Sequence, residues 1–320
     1  MKLLSAQDIR AVMDWGGAIA ALRAGHCGPR PQSQDILLNQ EAFALFGRGV
    51  ILPGLGAGMK IASIFPPNAN QSPPRPVEDA LFLVIDEDTK QISGVLDGPE
   101  ITRWKTAADS ALGSQILSAP DSQTLLVLGA GPIAIALAEA HLSVRPSLRR
   151  VLLWNRTAAK LPPIADRMRQ LGIQFHLVTD LNDAVAQADI ITSATSATSP
   201  LILGDLLRPG CHVDLVGGYR PDMREADDAT IKRARVFVDN RDTAITQTGD
   251  ISQPIANGVL LERNIEGDLF DLLKSSVNRK PDEITVYKNA GGAQFDLLVG
   301  MTALRLQGTS AAIRQASCGG

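Results

Sequence analysis

The residues with the clearest chemical potential form a short glycine-containing turn in the middle of the chain. An apolar run, Thr124–Leu128, leads directly into the turn, whose sequence is Gly129-Ala130-Gly131-Pro132-Ile133. Glycines let the backbone turn sharply and approach a ligand closely, and the free N–H groups at the start of a following helix suit a pyrophosphate. Ala134 stands where the usual G-x-G-x-x-G pattern has its third glycine. The stretch therefore predicts a dinucleotide-binding strand, turn and helix.

A second apolar run indicates which dinucleotide is preferred. Val151–Trp154 lies at the right distance to be the second strand of the same β–α–β unit, and it ends in Asn155-Arg156-Thr157. An NAD-specific site usually carries a carboxylate there for the ribose 2′-hydroxyl, whereas a guanidinium can bind a 2′-phosphate. We therefore predict NADP(H) as the preferred cofactor, with NAD(H) possible. The alternative is that Arg156 is an ordinary solvated residue.

Further cofactor contacts are expected at the carboxyl ends of other strands, because ligands of doubly wound sheets bind there. Three later strand candidates are Asp189–Thr192, His212–Val216 and Ile284–Tyr287. The predicted contacts at or after their ends are Thr195, Ser196, Val216, Gly217, Lys288 and Asn289. The alternative for each of these segments is a loop that only turns the chain.

A lysine in the N-terminal part of the chain is the first candidate for substrate contact. Lys60 follows Gly58-Met59 and precedes the apolar residues Ile61–Ile64, so it lies at or in an apolar strand. A lysine is costly to bury unless an anion such as a carboxylate pairs with it. The alternative is a strand lysine that points to solvent.

The pattern of elements predicts an α/β protein in two parts. Short apolar runs separated by turns are typical of antiparallel strands before residue 100. These runs are Ile36–Leu38, Ala42–Phe46, Val50–Leu52, Met59–Ile64, Ala80–Asp86 and Ile92–Leu96. After a helical pattern at Ile101–Ser118, the segment Pro120–Ser122 indicates a crossing into a second domain. Strands then alternate with helical or loop segments, as in a doubly wound parallel sheet of the Rossmann type.

The composition limits the class of function. The chain has 320 residues, of which 45% are hydrophobic and 20% charged, with a net charge of −3. That length suits two domains, each with its own core, and the charge suggests neither a nucleic-acid nor an anionic-membrane partner. The three cysteines, Cys27, Cys211 and Cys318, are far apart and fit reduced thiols of a cytoplasmic protein. The four histidines show no metal-ligand spacing, so we predict no metal.

With these segments placed, the chain resembles the ornithine cyclodeaminase/μ-crystallin family through most of its length. Several separated motifs occur in the family's order. They are Lys60 through Phe65-Pro66-Pro67-Asn68, Leu96-Asp97-Gly98, Lys105-Thr106-Ala107-Ala108, Gly129-Ala130-Gly131, Asn155-Arg156-Thr157, Val216-Gly217-Gly218 through Arg224-Glu225, and Lys288-Asn289-Ala290-Gly291. The sequences at Trp104–Ser110 and Lys288–Asp296 resemble those of a bacterial branch of the family, whose members include Δ1-pyrroline-2-carboxylate reductases.

The resemblance implies a domain organisation. It implies a Rossmann NADP-binding domain at residues 120–293 and a split α+β domain for substrate binding and dimerisation at residues 1–119 and 294–320. It also implies a homodimer in which the sheets of the substrate domains join. The partners expected are therefore a second copy of the chain and a small cyclic imino or amino acid.

Departures from the family pattern narrow the predicted reaction. Ornithine cyclodeaminases place an Asp after Val-Gly-Gly, where it acts on the substrate amine, but this chain has Tyr219. Oxidation of a free amine then lacks its usual proton acceptor, whereas reduction of a preformed imine has less need of one. The family's Arg before Thr-Ala-Ala is Lys105, and a His of some relatives aligns approximately with Glu78.

The hypothesis is hydride transfer from NADPH to the C=N carbon of a small cyclic 2-imino acid, which gives L-proline or a homologue. Lys60 is expected to bind the substrate carboxylate, and the resemblance implies a substrate-binding Arg, for which Arg48 competes with Arg30. Lys105 and Thr106 are expected near the cofactor phosphates or the substrate carboxylate. Tyr219 is expected to donate a proton or to form a wall of the pocket.

The sequence allows two functional roles for Glu78 and one reading without a function. It could hold the protonated imine or hydrogen-bond Lys60, and the alternative is a solvated residue at a strand entrance. The protonated imine is the better hydride acceptor, so the reaction needs a group that keeps the nitrogen protonated.

The sequence leaves two rival functions open. One is a cyclodeaminase or an alanine-dehydrogenase-type enzyme that uses NAD(H). Tyr219 and Arg156 disfavour this function. The other is a non-catalytic protein that binds NADPH and a small ligand, as the μ-crystallin resemblance allows.

Overall fold

The fold is described from a computed structural model, which covers residues 1–317, with side chains described up to residue 309. Cys318 therefore lies outside the described residues. The strands are β1 Lys2–Leu4, β2 Gln32–Gln40, β3 Phe43–Leu52, β4 Gly56–Ile64, β5 Glu78–Ile85, β6 Ile92–Asp97, β7 Thr124–Leu128, β8 Arg150–Trp154, β9 Phe175–Leu177, β10 Ile190–Ser193, β11 His212–Leu215, β12 Ala234–Val238, β13 Ile265–Gly267 and β14 Ile284–Lys288.

Eleven helices connect or flank these strands among the described residues. They are α1 Ala6–Val12, α2 Trp15–His26, α3 Gly98–Leu117, α4 Pro132–Val144, α5 Pro162–Gln170, α6 Leu181–Gln187, α7 Asp228–Arg233, α8 Arg241–Gln247, α9 Gly249–Ala256, α10 Leu269–Lys274 and α11 Ala293–Ser317. Short 3-10 turns lie at Pro66–Asn70, Ala158–Lys160, Gly204–Leu206 and Glu262–Asn264. Within residues 1–317, no helix is long and apolar enough to cross a membrane.

The chain divides into two compact units, and the boundary falls within α3. The first unit is Met1–Lys105 together with the chain from Gly292 onwards, and the second unit is Thr106–Gly291. The predicted domains place residues 106–119 in the other part, and the functions assigned to the two parts stay predictions. The mixed α/β class with a parallel Rossmann-type sheet and a second, split part is confirmed.

The first unit is built on a six-stranded sheet in the order β1-β6-β5-β4-β3-β2. Its strands are antiparallel, except that β1 runs parallel to β6. Helix α11 packs closely on one face, where a Cβ on Gly300 would lie 3.4 Å from Val84 and 3.6 Å from Phe82. Gly25 of α2 is tighter still, since a Cβ there would lie 2.3 Å from Leu298.

Strand β3 differs from the sequence prediction. Apart from Ala42, the two predicted runs Ala42–Phe46 and Val50–Leu52 lie in one continuous strand, which pairs with β4 from Ala44 to Leu52. Gly47, which lies between the two runs, is part of the strand, and a Cβ there would lie 2.9 Å from the Met59 methyl group. The glycine therefore makes room for a neighbouring side chain and does not turn the chain.

The second unit is an eight-stranded parallel sheet in the order β13-β12-β14-β11-β10-β7-β8-β9. Successive residues of β7 alternate between two cores, with Leu125 and Val127 on one face and Leu126 and Leu128 on the other. Helices α4 and α5 cover the first face, and α6 to α9 cover the second. Both faces are buried because crossover helices lie on each side of a parallel sheet.

Polar contacts fix the later part of α3 to this sheet. The Ser110 hydroxyl donates to Asp214 of β11 at 2.8 Å, and the Tyr287 hydroxyl of β14 donates to Asp109 at 2.7 Å. Arg145, at the end of α4, donates to the carbonyl of Ser114 at 2.9 Å. These buried hydrogen bonds make α3 from residue 106 onwards an integral part of the second unit.

Candidate functional site

A cleft of about 270 Å³ lies at the carboxyl ends of β7, β8 and β10 in the second unit. These three strands are neighbours in the sheet, so the loops that follow them meet at one edge. Eight of the predicted cofactor residues line the cleft, namely Gly129, Ala130, Gly131, Asn155, Arg156, Thr157, Thr195 and Ser196. The structure therefore brings together the residues of three loops that are separate in sequence.

The glycine turn between β7 and α4 fits a dinucleotide. Gly129 has a φ of +120°, and a Cβ there would lie 2.7 Å from the Ala194 carbonyl oxygen. Gly131 has an ordinary φ of −81°, and a Cβ there would meet no protein atom within 4 Å. Gly129 is thus required by the fold, whereas the space over Gly131 is open to a ligand. Gly131 also caps α4, whose first N–H groups have no intrahelical partner and suit an anion.

Pro132 and Ile133 form the first positions of α4. Neither lines the cleft with its side chain, but a proline at the first helical position removes a donor that the helix would leave unpaired in any case. The Ile133 N–H lies in the first turn of α4, where helical N–H groups have no intrahelical partner, and its contact with a cofactor stays a prediction.

Two exposed cations lie at the β8 side of the cleft. Arg156 follows β8, and Lys160 ends the short 3-10 turn Ala158–Lys160, and both line the cleft. No ion pair of either side chain is found in the described part of the chain. Asn155 donates from its side chain to the Thr157 carbonyl oxygen at 2.8 Å, which holds the turn. Lys160 was missed by the sequence analysis, although it lies four residues after Arg156 and carries the same charge.

The loop after β10 is held by a buried carboxylate. One oxygen of Glu225, Oε1, accepts hydrogen bonds from the Ser193 hydroxyl at 2.5 Å, the Thr195 amide at 2.8 Å and the Thr195 hydroxyl at 2.7 Å. Its other oxygen, Oε2, is buried without a hydrogen-bond partner among the described residues. Burial, reinforced by the nearby Asp250 carboxylate, raises the pKa of Glu225 to about 7.

Asp250 and Lys288 complete a buried cluster with Glu225. Asp250 accepts hydrogen bonds from the Glu225 amide at 2.7 Å, and the Lys288 ammonium lies 3.1 Å from its other oxygen. Lys288 also donates to the Gly217 carbonyl oxygen. A Cβ on Gly217 would lie 2.4 Å from the Glu225 carboxyl, so this backbone lies directly against the carboxyl. We call these three side chains the Glu225 cluster.

Several other predicted cofactor residues have internal partners. Lys288 is fully buried in the Glu225 cluster. The Asn289 amide donates to the Thr106 carbonyl oxygen at 2.9 Å and to the Ser110 hydroxyl at 3.0 Å. Val216 and Gly217 follow β11, where both amides donate to the Ser193 carbonyl oxygen. In the structure these residues support the loops at the sheet edge, and their contact with a cofactor stays a prediction.

Lys60 lies in β4 of the first unit with a side chain only 14% exposed. Its ammonium donates to the Thr102 hydroxyl of α3 at 2.9 Å, and that hydroxyl donates onward to the Gly98 carbonyl oxygen at 2.8 Å. Glu78 of β5 lies 4.0 Å from the ammonium and is itself half exposed. Lys60 is therefore no solvent-facing strand lysine. Glu78 lies within ion-pair distance of Lys60 but does not form the predicted hydrogen bond, and its role toward a substrate stays a prediction.

Arg48 lies opposite Lys60 on the neighbouring strand, in the pairing register of β3 and β4. Its guanidinium binds Asp35 of β2 through two hydrogen bonds of 2.6 and 2.5 Å, and it lies 5.2 Å from the centre of the Phe46 ring. The bidentate pair fixes the guanidinium plane. The competing candidate Arg30 lies in the chain between α2 and β2, outside these strands.

The remaining predicted residues lie in two places. Lys105 is buried in α3 with its ammonium 6.0 Å from the centre of the Phe295 ring, in the first unit. Thr106, also buried, begins the second unit. Tyr219 is 61% exposed after β11, and the Arg220 guanidinium lies 5.9 Å from its ring. Among the side chains described, those of residues 1–309, no group that could hold a metal ion is found.

The chain is similar to known proteins in both sequence and fold. The sequence profile of the ornithine cyclodeaminase/mu-crystallin family matches residues 53–301. The chain belongs to this family. That membership confirms the resemblance seen in the motifs, and with it the prediction of an oxidoreductase.

Proteins similar to this chain cover between 70% and 97% of its length. The Delta(1)-pyrroline-2-carboxylate reductase of Paracoccus denitrificans is 40% identical over 300 residues, which are 93% of this chain and 94% of the relative. The ketimine reductase mu-crystallin of Mus musculus is 31% identical over 223 residues, 70% of this chain and 68% of the relative. The Thermococcus litoralis Delta(1)-pyrroline-2-carboxylate reductase, solved with NADH and L-proline, has a TM-score of 0.90 at 24% identity and covers 97% of this chain and 98% of its own.

Proposed function

We propose that the protein reduces small cyclic 2-imino acids, Δ1-pyrroline-2-carboxylate to L-proline and its six-membered homologue to L-pipecolate, with NADPH as the hydride donor. The observation that carries the proposal is the partly buried Lys60 ammonium, which donates a hydrogen bond to a hydroxyl and has its carboxylate neighbour, Glu78, 4.0 Å away, beyond hydrogen-bond distance. A 2-imino acid supplies the missing carboxylate. The proposal agrees with the reductases to which the chain is similar along nearly its full length.

Several residues of the first unit have defined roles in the proposed reaction. Lys60 binds the substrate carboxylate by a charge-assisted hydrogen bond, and Thr102 holds the ammonium in place. Glu78, near the ammonium, accepts a hydrogen bond from the protonated imine nitrogen. Arg48 adds positive potential on the same face of the sheet while Asp35 fixes its orientation. A nicotinamide, when bound, would supply the hydride to the iminium carbon, and the protonated imine would become a neutral secondary amine without a further proton.

The preference for NADPH over NADH follows from the charges at the end of β8. No carboxylate lines the cleft there, and Arg156 and Lys160 offer two cations to a 2′-phosphate. An NAD-specific site would place a carboxylate in this position to bind the ribose hydroxyls. The Arg156 fork suits bidentate phosphate binding, and Lys160 adds a second charge.

Reduction of an imine is favoured over deamination of a free amine by the residue at position 219. Tyr219 stands where the cyclodeaminase pattern has an Asp, so this position lacks the carboxylate that would accept a proton from the substrate amine. A free amine would have to lose a proton before it could lose hydride. A preformed cyclic imine avoids that step.

We further propose that the protein is a homodimer that joins through the sheet of the first unit. All nine residues of the edge strand β2 are exposed, and Ile36 and Leu38 are 52% and 60% exposed on one face of the sheet. Leu45, paired with Leu38 on β3, is exposed on the same face. An exposed apolar edge strand of this kind can pair with a strand of another chain, and a second copy of this chain has the same edge by symmetry.

Steady-state kinetics test the proposed reaction. The purified protein is assayed with the five- and six-membered cyclic 2-imino acids, each with NADPH and NADH, and with L-ornithine and NAD+ for ammonia release. We expect turnover of the cyclic imines, higher kcat/KM with NADPH, and no ammonia from ornithine. Ammonia release would establish a cyclodeaminase instead, and tight NADPH binding without turnover of either imine would establish a non-catalytic binding protein.

A further inference from the structure

The Glu225 cluster ties together the carboxyl ends of three adjacent strands. Glu225 binds the residues that end β10, Lys288 ends β14, and both approach the loop after β11 through Gly217. Strands β14, β11 and β10 are consecutive in the sheet. The cluster therefore lies beneath the sheet edge to which the cofactor cleft belongs.

One contact connects the cluster to the cleft wall. Thr195 lines the cleft, and both its amide and its hydroxyl donate to Glu225 Oε1. Thr195 thus lies between the Glu225 carboxyl and the space that the cofactor would occupy. Any change in the charge of Glu225 acts on a bound anion through Thr195 and a buried, poorly screened path.

The charges of the Glu225 cluster favour one proton on Glu225. The charges that act most strongly on Glu225 are Asp250 of α9 and Lys288 of β14, while the end of β10 contributes hydroxyl and amide donors. With Asp250 and Lys288 charged, the cluster is neutral only when Glu225 carries a proton. The unpartnered Oε2 is the atom available to carry it. The raised pKa of Glu225, about 7, agrees with this arithmetic.

We propose that Glu225 is a positioning residue that couples the cofactor cleft to a proton, so that binding of the anionic dinucleotide draws a proton from solvent onto its Oε2. The inference rests on the proposed nicotinamide cofactor and on no assumption about the substrate. A bound pyrophosphate disfavours a second negative charge nearby and so raises the pKa of the carboxyl. By linkage, cofactor affinity falls as pH rises through the neutral range.

Calorimetric titration with NADH tests the coupling. NADH is chosen because it lacks the 2′-phosphate, a phosphate monoester whose own proton titrates near pH 6. Titrations at pH 7 in buffers of different ionisation enthalpy report the protons taken up on binding. We expect uptake of a fraction of one proton, and an affinity that falls about threefold between pH 6 and pH 8, which corresponds to a shift of about half a pKa unit.

The variant Glu225→Gln keeps the acceptor oxygen for Thr195 but cannot ionise. We expect it to bind NADH without proton uptake and with an affinity independent of pH. Asp268→Asn is the matched control, because Asp268 is a buried carboxyl at the start of α10 that accepts a hydrogen bond from the Asp271 amide at 3.2 Å and does not line the cleft. It should retain the uptake. A purely structural role for Glu225 would change affinity equally at every pH.

A second variant keeps the proposal testable if Glu225→Gln does not fold. Ser193→Ala removes one donor to Oε1 without touching the cleft lining, so the ionised form loses stabilisation. The midpoint of the pH dependence should then move to higher pH. Proton uptake that persists in Glu225→Gln, or a pH-independent affinity of the unaltered protein, overturns the proposal. Absence of NADH and NADPH binding altogether would instead refute the proposed function.

Discussion

Arg48 and Lys60 lie directly opposite each other on the antiparallel strands β3 and β4, and each has a carboxylate of a neighbouring strand near its cationic group. The two carboxylates hold these cations differently. Asp35 accepts two short hydrogen bonds from the Arg48 guanidinium, whereas the Glu78 carboxylate lies 4.0 Å from the Lys60 ammonium. Lys60 is therefore the cation with the weaker internal anion, and the one more available to a substrate carboxylate.

Lys60→Met should nearly abolish turnover while cofactor binding is unchanged. Loss of one partner of a partly buried charge pair costs about 2–5 kcal/mol, so we expect kcat/KM to fall about 30- to 5000-fold. Lys90→Met is the matched control, because Lys90 pairs with Glu87 in an exposed turn of the same unit. Steady-state kinetics with the cyclic imine measure the loss, and NADPH titration measures cofactor binding. A variant at position 60 with unchanged kcat/KM would remove Lys60 from the site.

Thr102→Val should raise KM for the imine with a smaller effect on kcat. The valine keeps the shape of the side chain but leaves the Lys60 ammonium without its 2.9 Å acceptor, so the ammonium loses its fixed position. A hydrogen bond to a charged group contributes about 1.5–3 kcal/mol, and we expect a KM about tenfold higher. Thr102→Ser restores the hydroxyl and should restore KM. If serine and valine behave alike, the hydroxyl has no part in placing Lys60.

Arg156→Ala should remove most of the preference for NADPH. The guanidinium would bind only the 2′-phosphate, so we expect NADPH to bind about 10- to 100-fold more weakly, with NADH affinity within about twofold. Lys160→Ala should act in the same direction with a smaller effect, since an ammonium offers no bidentate fork. Arg169→Ala is the control, an exposed arginine that pairs with Asp166 outside the cleft. Fluorescence titration with both cofactors gives the ratio, and an unchanged ratio in Arg156→Ala contradicts the assignment.

The double variant Ile36→Lys with Leu38→Lys should shift the protein to a monomer. The two side chains lie on one face of the edge strand β2, where paired lysines would repel those of a second copy. Leu177→Lys is the control, since Leu177 is equally exposed on β9, the edge strand of the other sheet. Sedimentation velocity measures the oligomeric state. A double variant that sediments as the unaltered protein does would place any dimer contact elsewhere.

Glu225→Gln should also change how stability depends on pH. Because the folded-state pKa is about 7, above the ordinary 4.5, the native state binds a proton that the unfolded chain has lost. The free energy of unfolding therefore falls as pH rises between these values, by at most about 3 kcal/mol. Urea unfolding from pH 5 to pH 8 should show a smaller decline in the variant than in the unaltered protein.

Glu283→Gln provides the control for that measurement. A hydrogen bond from the Lys280 amide, together with Arg235, holds the pKa of Glu283 below its ordinary value. This carboxylate stays ionised in both states from pH 5 to pH 8, so its replacement should leave the pH dependence unchanged. An equal decline in the unaltered protein and in Glu225→Gln would show that Glu225 does not hold the proton.

The cofactor cleft was largely predictable because its signals are local. The turn from Gly129 to Gly131 and the end of β8 at Asn155–Thr157 each combine an apolar run with its exit residues in one short stretch. The rule that ligands bind at the carboxyl ends of parallel strands then places both, and the loop at Thr195, on one edge. Lys160 escaped prediction because its approach to the cleft depends on the 3-10 turn that carries it.

The contacts that set the electrostatics could not be predicted, since they join distant parts of the chain. The Asp35–Arg48 pair depends on the register of β2 against β3, and the Lys60–Thr102 bond depends on where α3 begins. Glu225 was recognised only as part of a family motif. Its burial and its hydrogen bonds to Ser193 and Thr195 emerge when two segments about 30 residues apart meet.

The buried hydrogen bonds of α3 bear on how the second unit could be excised as an independent fragment. A cut at residue 120 would delete Asp109 and Ser110, and so orphan the Tyr287 hydroxyl and one oxygen of Asp214 in the core. It would also strip Arg145 of its carbonyl acceptors. A recombinant piece that starts at residue 106 retains all of these partners, so limited proteolysis should yield a resistant fragment that still contains the second half of α3.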